Sequence, residues 1–190
     1  EADPYETAAI LIGGVNQVII TWLLYRRPKN LTKGGAAIAE RWHPSVEAPA
    51  SPESSYRTRS PIYHHDLRPN VCATEAWGVR RVQICTNDLG FRDSAPREIA
   101  MRSGSRRVLL IGDSFTEGLG VVYADTFAGL LDACFARCGV EVLNAGVVSY
   151  SPMIYERKIR HLIEERGLVV DEVVVFLDVS DIEDEALYYA

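Results

Sequence analysis

Residues 107 to 120 read Arg-Val-Leu-Leu-Ile-Gly-Asp-Ser-Phe-Thr-Glu-Gly-Leu-Gly, an apolar run that breaks at Gly112 and is followed at once by Asp113 and Ser114. Val108 to Ile111 is apolar at every position, the pattern of a strand buried on both faces of a parallel sheet. In open α/β sheets ligands bind beyond the carboxyl ends of such strands. Gly112 allows a tight exit, Asp113 can accept backbone hydrogen bonds within the turn, and Gly118 and Gly120 are expected to leave room for a substrate beside the backbone. Ser114 is thereby the candidate nucleophile, an exposed hydroxyl next to a set of backbone N–H groups.

Signals of helix and strand alternate downstream, as in a parallel sheet wrapped by helices. Asp125 is expected to cap a helix carrying Phe127, Leu130, Leu131, Cys134 and Cys138 on one stripe and ending at Gly139. Val140 to Asn144 reads as a second strand. Pro152, following Ser151, opens a helix with Tyr155, Ile159, Leu162 and Ile163 on one face, closed by Gly167, and Val173 to Leu177 reads as a third buried strand. Right-handed crossovers place all three carboxyl ends on one edge, which gathers Ser114, the 144–151 loop and the 178–182 segment.

Gly112-Asp113-Ser114-Phe115-Thr116-Glu117-Gly118 resembles the first signature block of the SGNH (GDSL-type) hydrolases, esterases and acyl-transfer enzymes with a flavodoxin-like, three-layer α/β/α fold. The resemblance implies an acyl-enzyme on Ser114 and an oxyanion held by the N–H of Ser114 and by donors from two further blocks. The second block of the family is Asn-x-x-x-x-Gly. Here Asn144 begins it and Ser149 stands at the glycine's position, with Gly146 as the nearest glycine. The third, Gly-x-Asn-Asp, is matched by Asp178-Val179-Ser180-Asp181, so Ser180 offers a hydroxyl where the family has an amide. The family's Asp-x-x-His block does not occur before Ala190, and the sheet stops after three strands, so the chain is expected to be the first part of a longer domain. The acidic residues 181, 183, 184 and 185 read as a solvated helix start.

The 190 residues are 47% hydrophobic and 24% charged with a net charge of -6, and no basic stripe interleaved with aromatics occurs. That balance speaks against nucleic acid and for small-molecule or carbohydrate chemistry, and the resemblance implies a small-molecule or glycan ester as partner. A phosphate cradle over Gly112 to Gly120 is disfavoured, because no Gly-Lys-Ser/Thr or Gly-x-Gly-x-x-Gly occurs and Asp113 and Glu117 would repel the phosphate.

Four regions are expected. Residues 1–33 hold the uncharged run 8–25, long enough to cross a bilayer, with Trp22 and Tyr25 near its end and Arg26, Arg27, Lys29 and Lys33 behind it. A membrane anchor is one reading and a buried amphipathic helix the other, with Asn16 and Gln17 against the span. The basic flank points the downstream chain to the cytoplasm, whereas membrane-tethered members of the resembled family work outside it. Residues 34–61 read as a Pro/Ser-rich linker, 62–104 as a small β-rich lead-in, and 105–190 as the partial catalytic domain.

His64-His65-Asp66 has no third ligand at zinc-type spacing, and no metal or other cofactor is expected. Cys72 and Cys85 flank a hairpin and can pair if the domain is exported. Cys134 and Cys138 share a helix face and read as buried apolar residues.

Overall fold

The computed structural model describes residues 56–77 and 80–184. Its strands are β1 (Arg57–Ser60), β2 (His64–Leu67), β3 (Cys72–Trp77), β4 (Arg80–Thr86), β5 (Arg92–Asp93), β6 (Arg106–Ile111), β7 (Val140–Asn144) and β8 (Glu172–Val175). The helices are α1 (Ser114–Glu117), α2 (Phe127–Ala136), α3 (Pro152–Arg160), prolonged by a wider turn over His161–Glu165, and α4 (Ser180–Asp184). Strands β1 and β2 form an antiparallel hairpin, and the other six make one sheet in the order β3-β4-β5-β7-β6-β8. The architecture is α/β.

The apolar run of β6 occupies the place its composition demands. It pairs in parallel with β7 on one side and β8 on the other, with Val108 opposite both Val142 and Glu172. Because strand side chains alternate between faces, Val108 and Leu110 meet Val142 and Ala128, with Phe127 and Leu131 of α2 packed against them. Leu109 and Leu143 face the other way, into a cluster with Phe91, Ile99, Leu162 and Leu168. Ile111 adjoins Val147, Tyr150, Ile154 and Tyr155, and this cluster also receives Tyr56 and Leu67 from the hairpin and Val82 and Ile84 from β4.

The sheet is mixed rather than parallel throughout. The region expected as a lead-in supplies its antiparallel half, since β3 pairs antiparallel with β4 and β4 with β5, and Arg92 of β5 sits opposite Asn144. Nor does the linker run to residue 61. Tyr56 is buried and Arg57–Ser60 is a paired strand; residues 34–55 lie outside the described residues. Cys72 and Cys85 face each other across β3 and β4 and form a disulfide, with Cα atoms 4.2 Å apart.

Several local expectations are corrected. The cap of α2 is Thr126, whose hydroxyl accepts from the Gly129 N–H; Asp125 lies in the preceding 3-10 turn. Cys134 and Cys138 are exposed, as is Leu130, because the buried side of α2 is carried by Ala128 and Gly129. Strand β8 is not buried either. It pairs only with β6 among the described residues, and Val174, Val175 and Leu177 are exposed.

The expected transmembrane helix is not among the described helices. Among the described residues no helix is long and apolar enough to cross a membrane; α2, at ten residues, falls well short of the roughly 17 required. Residues 8–25, on which that expectation rests, lie outside the described residues.

Candidate active site

The carboxyl edge of β6 presents Ser114 as the first residue of α1. Asp113 is the cap, its Oδ1 accepting the Phe115 N–H at 3.0 Å, and Gly118 closes the turn in the left-handed region with φ 77°. The Ser114 hydroxyl donates to Asp113 Oδ2 over 3.4 Å, a long and weak contact. Ser114 and Asp113 thus stand at the edge that the apolar strand points to.

Asn144, at the end of the neighbouring strand β7, ties the two blocks together. Its Nδ2 donates to the Thr116 carbonyl at 2.7 Å, and its Oδ1 accepts the Gly146 N–H at 3.1 Å. The Thr116 side chain is wedged between glycines of both segments. A Cβ on Gly112 would lie 2.1 Å from Thr116 Oγ1, and one on Gly146 would lie 2.6 Å from Thr116 Cβ. Gly146 therefore serves close packing against Thr116. Gly118 and Gly120 are likewise filled by protein, Thr126 lying against the first and the Trp77 ring against the second, and neither leaves space for a substrate.

Ser149 occupies the conformation its position implies. Its φ is 57°, in the left-handed region that glycine enters without cost. The Tyr150 N–H donates to the Val147 carbonyl at 3.2 Å, and Val148 is not among the residues of positive φ. The four residues have the pattern of a type II turn with Ser149 third.

The 178–181 segment behaves differently from the expectation. Ser180 donates both its backbone N–H and its hydroxyl to Asp178 Oδ1, so the hydroxyl assigned to an oxyanion is committed to its own turn. Asp181 is not solvated. It is buried, accepting from Tyr155 at 2.9 Å and from the Asp178 N–H at 3.1 Å, and burial pushes its carboxyl above the usual range. Oxygens of Asp113, Asp178 and Asp181 come within 4.8 Å of one another. Burial, and then the charge of Asp178, push the Asp113 carboxyl up to about 7. A proton held at Asp113 relieves part of the repulsion in this cluster.

The residues that organise this edge were largely missed by sequence reasoning. Glu117 is fully buried and accepts from Arg57 at 2.8 Å, from the Tyr56 hydroxyl at 3.3 Å and from the Val148 N–H at 2.7 Å. Lys158, also fully buried, donates to Asp66 at 2.7 Å, to the Ala145 carbonyl at 3.1 Å and to Tyr150 at 3.2 Å. His65 Nε2 contacts the Val148 carbonyl at 2.7 Å. All three bind the β1–β2 hairpin to the 145–150 loop. The one sequence signal was composition: a carboxylate beside the nucleophile, and a lysine on the apolar side of α3.

None of the described histidines is hydrogen-bonded to Ser114. His65 engages Val148, His64 Nδ1 lies 2.8 Å from His65 Nδ1, and His161 is bonded to Glu165 at 2.8 Å. Comparison with models of known protein families yields no match, and comparison with curated protein sequences yields none.

Proposed function

We propose that this chain carries the nucleophile of an SGNH-type serine hydrolase or acyl transferase acting on ester bonds. The observation that carries the reading is the placement of Ser114 at the carboxyl end of β6, which pairs in parallel with β7 and β8, with Asn144 bridging from β7 to the turn behind it. Ser114 Oγ attacks the ester carbonyl carbon and its proton passes to a base. The carbonyl oxygen becomes an oxyanion held by the backbone N–H groups of Ser114 and Ser149, which need to come within about 2.7–3.1 Å of it. Collapse expels the alcohol, protonated by the same base, and leaves an acyl-serine. Water as second acceptor gives an esterase, and a sugar hydroxyl gives an O-acyltransferase on a cell-envelope glycan.

The base in this scheme is a histidine supported by an aspartate from outside the described residues. The disulfide between Cys72 and Cys85 favours an oxidising, extracytoplasmic compartment. A second reading is a binding module of the same fold without catalysis, favoured by the commitment of the Ser180 hydroxyl to Asp178. Labelling of the intact protein by a fluorophosphonate, abolished in Ser114→Ala, supports the hydrolase. Binding of glycan or acyl ligands with no labelling supports the module instead.

A further inference from the structure

We infer that His65, backed by His64, is a positioning residue that holds the Val148–Ser149 peptide group in its turned orientation. This rests in part on the proposed function, which assigns the N–H of that peptide group to the oxyanion. A carbonyl oxygen only accepts, so His65 Nε2 must be the donor in its 2.7 Å contact with Val148. Neutral His65 then has a bare Nδ1, and the 2.8 Å contact between the two Nδ1 atoms is a donation from His64. The hydrogen bonds run one way, from His64 through His65 to Val148.

In a trans peptide the C=O and N–H point in opposite directions, so anchoring the Val148 oxygen aims the Ser149 N–H. The anchor is needed because residue 149 is a serine. A type II turn requires positive φ at its third residue, where serine is strained, and rotation of the middle peptide into a type I turn would relieve Ser149. Glu117 holds the Val148 N–H, one peptide earlier, and leaves that rotation open. His65 closes it. The ring is in turn fixed by the Tyr150 ring, 5.0 Å away centre to centre, and by strand pairing opposite Arg59.

The test is a set of variants in the intact protein, read by fluorophosphonate labelling of Ser114 and by the structure of residues 147–150. His65→Ala is expected to slow labelling at least tenfold and to turn Ser149 to negative φ. His65→Gln, whose amide can still donate to Val148, stays within about threefold of the original. Ser149→Gly added to His65→Ala restores labelling to within threefold of Ser149→Gly alone, which neither a general base nor a merely structural residue at 65 would allow. Labelling of His65→Ala at the original rate, or no rescue by glycine, overturns the inference. If the unmodified protein is not labelled at all, the proposed function fails, and Ser149 φ in His65→Ala still decides this inference: positive φ overturns it. Should that variant not fold, long-range 1H–15N spectra of the unmodified protein decide. An Nε2–H tautomer at His65 supports the inference and an Nδ1–H tautomer overturns it.

Discussion

Glu117 Oε2 accepts the backbone N–H of Val148 at 2.7 Å, joining the helix that begins at Ser114 to the loop that follows Asn144. The same carboxylate binds Arg57, so the first residue of β1 and the loop beside the nucleophile depend on a single buried anion.

Removing that anion is expected to cost far more than a surface ion pair. Glu117→Ala leaves the Val148 N–H and the Arg57 guanidinium without their partner, and loss of one member of a buried charged network costs about 3–5 kcal/mol. Glu117→Gln keeps an acceptor for Val148 and is expected to lose less. Denaturant midpoints of the two variants check the order.

Thr116 leads to the opposite expectation. Its buried hydroxyl has no hydrogen-bond partner among the described residues, and an unsatisfied buried polar group costs about 1–3 kcal/mol. Thr116→Val, the same shape without the hydroxyl, is expected to raise the unfolding midpoint. A lower midpoint would show that the hydroxyl has a partner in solution.

Asp113 imposes a pH dependence of uncommon sign. Its folded pKa is raised to about 7 by burial and by Asp178, above the ordinary aspartate value near 3.9. Between those values the folded state holds a proton that the unfolded state has released, so stability falls as pH rises from about 4 through 7 and levels off above. Asp113→Asn, which keeps the acceptor for Phe115, is expected to flatten that stretch of the curve. Thermal melts from pH 4 to 8 measure it.

Lys158 is the cation of the second buried pair, with burial pulling its ammonium below the ordinary lysine value and Asp66 acting against that. Lys158→Met alone strands the Asp66 carboxylate and is expected to destabilise by about 3–5 kcal/mol, whereas Lys158→Met with Asp66→Leu recovers most of the loss. A double-mutant cycle by chemical denaturation gives the coupling.

Thiol counting tests the cysteine assignments together. Two thiols, Cys134 and Cys138, are expected to react in the native protein and four after reduction and unfolding. Reducing the bond across its 13-residue separation is expected to cost about 2–3 kcal/mol.

What could be read in the sequence was local. The four apolar residues of β6, Pro152 at the start of α3 and the glycines at 139 and 167 act through backbone geometry and burial, which neighbours in the chain determine. The position of Ser114 at a strand end follows from the same rules; Ser149 was read only as a serine in a glycine's place, and its positive φ came from the structure. The third strand was recognised, but it was expected to be buried and is exposed, since burial depends on what lies alongside.

Only the tertiary structure brought Tyr56, Arg57, His65 and Asp66 to the 145–150 loop and its supports, across 60 to 92 positions of the chain. Buried charges such as Glu117 and Lys158 read from sequence as surface residues, because desolvation is tolerated only once a partner is in place. The apolar pattern of β6 is satisfied by any sheet that covers it, whereas the pairing of Glu117 with Arg57 and Lys158 with Asp66 exists in one arrangement of the hairpin alone. For that reason the sequence determined which strand carries Ser114, and tertiary packing decided which residues hold the edge around it.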